Sequence, residues 1–298
     1  MNILYIGKFA NFFSTENYVS HALGELGHRI VKLPYRDLKT LEQAVGIIRA
    51  HKIDMVLFSK PSNPIFKDLC KYCKRTKVTT VTWLWDLFFG FPGGRVFPKQ
   101  ARYSDYVFST DGGHDIDWVN MGINHQVLRQ GIHHPDAFMH PPKYKYDIVF
   151  IGNTYRIAAY SERLSILGSL RKRYGRRFRI ECNIRGADLN KFLSQSRIVV
   201  GHSIDSPHYW SNRIYEVLGR GGFLLHPHTE GLEEEFKEGV HYVGYDRDNP
   251  NDLFAKIDHY LKATDEQEAI RERGHALVKE FYTYETRCRE LIEKINMN

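Results

Sequence analysis

Two ionisable residues one helical turn apart carry the most chemistry in this sequence. A loop rich in hydroxyl and aromatic groups, Ser203-Ile204-Asp205-Ser206-Pro207-His208-Tyr209-Trp210, leads into Ser211-Asn212-Arg213-Ile214-Tyr215-Glu216-Val217-Leu218. That stretch reads as a helix over Asn212 to Arg220, ended by Gly221-Gly222 and followed by the apolar run Phe223-Leu224-Leu225. A helix N-terminus offers free N–H groups and the positive end of a dipole, which suits phosphate. Arg213 in the first turn adds a two-pronged charge for a diphosphate. Glu216 lies three residues on, on the same face, where a carboxylate can accept hydrogen bonds from both hydroxyls of a ribose. The same spacing also suits an exposed Arg–Glu pair worth at most about 0.5 kcal/mol, and spacing alone leaves both readings open.

A second group of residues could move protons. Trp83-Leu84-Trp85-Asp86 ends one apolar run with a carboxylate, and Asp111-Gly112-Gly113-His114 follows another. Asp86, Asp111 and His114 are therefore the candidate general bases for deprotonating a hydroxyl. Each has an ordinary alternative, since Asp before Gly-Gly is common turn chemistry and Asp86 can cap the next element. Gly7-Lys8 follows the first apolar run, where a glycine permits close ligand approach. His133-His134 and His226-x-His228 could ligate a metal. No H-E-x-x-H or carboxylate-rich pattern accompanies them, and a metal-independent site is expected. Cys70 and Cys73 form a C-x-x-C without a second close pair, inside a segment that reads as helix, so they are expected to be small apolar residues of a helix face.

The elements that must hold these groups alternate throughout. Ile3 to Gly7, Arg29 to Leu33, Asp54 to Ser59, Val78 to Leu84, Tyr106 to Ser109 and Gln126 to Leu128 read as strands. Helices are expected at Thr15 to Leu26, Leu38 to Ala50, Pro64 to Lys74 and Asp115 to Met121. Residues 131–142, rich in Pro and His, read as a linker. The pattern then restarts, with strands at Asp147 to Gly152, Phe178 to Cys182, Ile198 to His202, Phe223 to His226 and Tyr242 to Tyr245. Its helices fall at Ser161 to Tyr174, Leu189 to Ser196, Asn212 to Arg220, Leu232 to Lys237, Asp252 to Leu261, Glu266 to Phe281 and Tyr284 to Ile295. Strands alternating with helices imply parallel sheets covered on both faces. The expectation is an α/β chain of two Rossmann-like domains facing each other across a cleft. Residues 1–140 form the first domain, 141–281 the second, and 282–298 a terminal helix.

Composition bounds the class. The 298 residues are 42% hydrophobic and 26% charged, ordinary globular values. No apolar run approaches the length of a membrane span, and the start lacks the marks of a signal peptide, so a cytoplasmic protein without disulfides is expected. The net charge is +7, and residues 1–140 hold 17 Lys+Arg against 12 Asp+Glu. Basic clusters at Lys67 to Lys77 and Arg171 to Arg179 read either as solvated helix ends or as an attraction to a polyanion.

Ser211-x-Arg213-x-x-Glu216-x-x-x-x-Gly221-Gly222 resembles the donor-site signature of GT-B glycosyltransferases. The resemblance is nearest to the CgeB-like group of the glycosyl transferases group 1 superfamily. Gly231-Leu232-Glu233-Glu234-Glu235-Phe236, Gly239-Val240-His241-Tyr242-Val243-Gly244-Tyr245, Asp252-Leu253 and Arg271-Glu272-Arg273-Gly274-His275-Ala276-Leu277-Val278 extend it across residues 195–295. The resemblance implies transfer of a hexosyl or pentosyl group from a nucleotide-diphosphate sugar, a co-substrate rather than a cofactor, with residues 1–140 as the acceptor-side domain, 141–281 as the nucleotide-sugar-binding domain and the helix of 282–298 returning to the first. Arg213 would neutralise the diphosphate and Glu216 hold the ribose. Asn153 and Arg156, in the loop after the second domain's first strand, would face the phosphates, and Gly7 and Ser211 complete the donor-binding set. One departure stands out: many retaining relatives carry a glutamate eight positions before the second, where this chain has His208. Stereochemistry and sugar therefore stay open.

The acceptor is not named by these residues. A glycan, a lipid-linked intermediate and a modified base in DNA all fit, the last because Phe88, Phe89, Phe91 and Tyr103 could stack on a base. A sugar-nucleotide epimerase and a non-catalytic nucleotide- or nucleic-acid-binding module are the competing expectations.

Overall fold

The computed structural model describes residues 1–9, 11–89, 96–155 and 161–297. The chain divides into two compact units, Met1–Gln130 with Tyr284–Asn298, and Gly131–Thr283.

Unit 1 is built on six parallel strands in the order β2-β1-β3-β4-β5-β6. These are β1 (Asn2–Gly7), β2 (Arg29–Pro34), β3 (Met55–Phe58), β4 (Thr79–Leu84), β5 (Tyr106–Ser109) and β6 (His125–Val127). The crossover helices are α1 (Thr15–Glu25), α2 (Leu41–Ala50), α3 (Phe66–Thr76), α4 (Val96–Ala101) and α5 (Asp115–Asn120). β1, β3 and β4 are buried almost throughout, as strands covered on both faces must be. Ser14 caps α1 and Thr40 caps α2, each accepting a backbone N–H through its side chain, which satisfies donors the first turn leaves open. Helix α4 occupies a stretch that the sequence reading leaves without an element. It is a single turn and a half containing Pro98, too short to show a period.

Unit 2 repeats the plan with five parallel strands in the order β11-β10-β9-β7-β8. They are β7 (Tyr146–Ile151), β8 (Phe178–Glu181), β9 (Ser196–Val200), β10 (Leu224–Pro227) and β11 (Val243–Tyr245). Helices α6 (Ser161–Tyr174), α7 (Gly186–Ser194), α8 (Arg213–Gly219), α9 (Pro250–Tyr260) and α10 (Thr264–Phe281) cover them. Order reverses between β7 and β9 in this sheet and between β1 and β3 in the other, the positions where open α/β sheets take ligands at their C-terminal strand ends.

The change of unit falls at Gly131, not at 140. The segment expected as linker is stitched into unit 2: Ile132 N–H bonds the Tyr282 carbonyl at 2.9 Å, Ala137 joins the unit 2 core, and Asn190 Nδ2 donates to the carbonyls of Asp136 and Phe138. Helix α11 (Tyr284–Asn296) belongs to unit 1. Its Tyr284, Cys288 and Leu291 complete the cluster of Ile3, Tyr18, Val19, Met55, Val81 and Trp83.

Cys70 and Cys73 lie in the core of unit 1 with Phe66 and Leu69, and burial pushes the Cys73 thiol up to about 12. They are apolar residues of the helix face. Half of the cations in the cluster at Arg171 to Arg179 make ion pairs within unit 2: Arg173 pairs with Asp258, Arg177 with Asp147 and Arg179 with Glu181. The cations of α3 are exposed instead, and Lys71, Lys74 and Arg75 line a shallow cavity with Leu41 and Asp68.

Candidate functional site

Arg213 opens α8 at the reversal point of the second sheet. Its Nε donates to the Ile151 carbonyl at the end of β7, and its Nη1 to the His202 carbonyl just beyond β9, both at 2.6 Å. The guanidinium also lies over the Phe150 ring, 5.0 Å from its centroid. Gly152 makes room for it: a Cβ there would sit 2.4 Å from Arg213 Nη2, and φ of +149° suits only glycine. The charge is thus fixed by two backbone carbonyls at the strand ends, not left to sway on the surface. Ser211 sits beside it, its N–H bonded to Ser203 Oγ at 2.9 Å.

A polar layer supports this edge. His202, 2% exposed, has Nδ1 facing Arg163 Nε at 3.5 Å and Nε2 3.4 Å from Glu162. Arg247 Nη1 bridges both Glu162 oxygens, at 2.8 and 3.0 Å, and the Ser203 carbonyl at 3.1 Å. Burial pushes the Glu162 carboxyl up, but His202 and Arg247 outweigh it and hold the acid below its ordinary range. His226 Nδ1 faces the Pro227 carbonyl at 2.9 Å, so Nε2 accepts from Ser203 Oγ at 3.0 Å. Burial drops the His226 imidazole to about 3. His226 is thereby committed to structure, and His228 lies 3.2 Å from Glu238.

Glu216 turns to Arg220, which the sequence reading overlooked. Glu216 Oε2 accepts from Arg220 Nε at 3.1 Å and Nη2 at 3.0 Å, and Arg220 Nη2 also reaches Asp136 at 2.7 Å. The one available signal was the i,i+4 spacing of Glu216 and Arg220. The Asp136 contact joins residues 84 apart, and no local pattern could announce it. His208 adopts a left-handed φ of +49° and stands 3.6 Å from Glu230 and 3.4 Å from Glu234. Asn153 is exposed, and its carbonyl accepts from Arg163 at 3.2 Å. Arg156 lies outside the described residues.

In unit 1 the structure joins two of the three candidate bases. Asp111 is fully buried, and its Oδ1 accepts from the Gly113 N–H at 3.1 Å and stands 2.9 Å from His114 Nδ1. The His114 ring stacks on Phe89 at 5.2 Å. Asp86 is exposed at the end of β4. Gly7 serves its own unit: a Cβ there would meet Glu16 Cγ at 2.8 Å and Ser59 Oγ at 2.9 Å. The space that the sequence reading gave to a ligand is filled by Glu16, which also accepts the Lys8 N–H.

Phe88 and Phe89 are buried, packed on Phe97 and Trp118, and offer no open stacking platform. Phe91 lies outside the described residues. Tyr103 is half-buried, with Lys67 and Arg102 over its ring. No helix among the described residues is long and apolar enough to cross a membrane.

Residues 150–293 match the family model described as glycosyl transferase-like. No curated protein matches the sequence. Among solved structures, a glycosyltransferase from Rickettsia africae is 14% identical with a TM-score of 0.71, over 98% of this chain and 97% of that one. Anabaena HepE in complex with UDP and glucose is 12% identical with a TM-score of 0.71 over the whole of both chains. The sucrose-phosphate synthase of Thermosynechococcus elongatus is 11% identical, also at 0.71, over 100% of this chain and 98% of that one. The chain has the GT-B fold, and its residues 150–293 are similar to the glycosyl transferase-like family.

Proposed function

We propose that this chain is a nucleotide-sugar glycosyltransferase that holds its donor at the β7–β9 edge of unit 2, with Arg213 on the diphosphate and Glu216 on the ribose. The observation that carries the reading is the Arg213 guanidinium, fixed by the Ile151 and His202 carbonyls over a glycine. A charge already oriented when the donor arrives costs no reorganisation as negative charge builds on the leaving diphosphate. Ser211 and Asn153 complete the phosphate-facing set. A uridine nucleotide is the favoured donor moiety, supported by the UDP and UDP-glucose held in the Anabaena HepE structures, and a hexose is the transferred group.

Arg213, with Arg163 and Arg247 nearby, supplies the positive charge for leaving-group departure, so turnover proceeds without a divalent cation and survives chelation. The acceptor hydroxyl gives its proton to His114 Nε2. Asp111 fixes the ring by accepting from Nδ1–H, the arrangement that makes an imidazole an effective base. A base of this kind fits direct displacement with inversion. The exposed cations of α3 support an anionic acceptor, and the free cysteines support a cytoplasmic setting.

The test is a panel of UDP, GDP, ADP and CDP hexoses, read by release of the nucleoside diphosphate with and without anionic glycan, lipid and DNA acceptors. Release from one donor that Arg213→Ala abolishes is the expected result. A wild-type chain that binds none of the four nucleotides would refute the donor site.

A further inference from the structure

Arg220 is among the most deeply buried charged groups of the molecule, at 1% exposure. It spends all three nitrogens on the chain. Nε and Nη2 hold Glu216 Oε2 at 3.1 and 3.0 Å, Nη2 reaches Asp136 at 2.7 Å, and Nη1 donates to Asn190 Oδ1 and to the Gly186 carbonyl at 3.2 Å. One oxygen of Glu216 is therefore consumed from the interior, and the plane of the carboxylate is set. The other oxygen, Oε1, faces Asn212 Nδ2 at a long 3.4 Å. Asn212 Oδ1 is buried and has no hydrogen-bond donor among the described residues. Two acceptors on neighbouring side chains, one of them orphaned, form a pair that calls for two donors, because a buried acceptor left unmade is costly. The vicinal hydroxyls of a ribose supply two O–H donors with the spacing of adjacent carbons.

We propose that Arg220 is the positioning residue of a two-acceptor diol site, in which Glu216 Oε1 and Asn212 Oδ1 receive the two ribose hydroxyls of the donor. The inference rests on the donor-site reading above and adds the device that makes Glu216 selective. Asp136 and Asn190 hold Arg220 in turn, so the geometry of the diol site is set by unit 2's interior and not by surface rotamers.

The test compares binding of the preferred nucleoside diphosphate with that of its 2′,3′-dideoxy analogue by calorimetry. A site built to bond hydroxyls rejects the analogue lacking them, so the wild-type chain prefers the ribonucleotide by about ten-fold or more. Arg220→Met and Asn212→Leu each shrink that preference, and they do so by weakening the ribonucleotide while leaving the dideoxy analogue nearly unchanged. Arg220→Lys, which keeps the buried charge but cannot hold Glu216 and Asp136 together, falls between. It also serves should the methionine variant not fold. A folded Arg220→Lys or Arg220→Met that keeps the full ribose preference overturns the inference. Loss of both nucleotides equally in a folded variant overturns it too, because that is the mark of a structural role only. A wild-type chain that binds neither nucleotide overturns the donor-site reading itself.

Discussion

A guanidinium clamped on two backbone carbonyls behaves differently from one that swings in solvent, and Arg213 is of the first kind. Arg213→Ala is expected to weaken nucleoside diphosphate binding by about 2 kcal/mol or more, roughly thirty-fold in calorimetry, since a charge-assisted contact is lost. Gly152→Ala should reproduce much of that loss without removing any charge, because a methyl group there displaces the guanidinium. For the proton-transfer step, His114→Ala is expected to lower kcat by about 10²–10⁴ with little change in donor affinity. Asp111→Asn would follow it in the same direction, and a donor Kd that moves in step with kcat would sink the base assignment. The sequence brought out Arg213 and Glu216 because they share one helix, and Asp111 and His114 because both follow the apolar run of β5. Arg220's partner Asp136 and the Glu162–Arg247 bridge were not visible, since their contacts cross 84 and 85 residues.

Most elements were legible for the same local reason. A strand buried on both faces is an apolar run, and a crossover helix shows its period, so alternation alone exposes the two parallel sheets. What failed was local structure with no period, such as α4, and membership decided by packing, such as residues 131–140. Helix α11 shows how an amphipathic element gains its place: Tyr284, Cys288 and Leu291 are buried against strands and helices of unit 1. Leu291→Ala should cost about 2–5 kcal/mol in urea denaturation, the usual range for a buried leucine. A cost below 1 kcal/mol would show that the helix is only loosely attached.

Across the whole molecule, buried neutral histidines make stability fall on the acid side. Burial lowers His226 to about 3 and His125 to about 4, and lowers His202 and His275 as well. In each case the unfolded chain takes up a proton near pH 6.5 that the folded chain refuses, so the stabilisation is complete above that pH. It is lost as pH falls toward the depressed folded value, with each histidine contributing up to about 1.4 kcal/mol per pH unit inside its window. Denaturation midpoints at pH 7 and pH 5 should therefore differ markedly, and His226→Gln should flatten the slope. A midpoint independent of pH over that interval would mean the imidazoles are hydrated.

The membership of α11 in unit 1 also has a consequence for how the protein is made. The strands of that unit leave the ribosome before unit 2, but the helix that shields Ile3, Val19, Met55 and Trp83 follows more than 150 residues after them. During translation the unit carries an uncovered apolar face while the whole of its neighbour is synthesised, an interval in which a chaperone or a misplaced helix can occupy it. A helix made after the whole of unit 2 is thus the one that closes the sheet made before it.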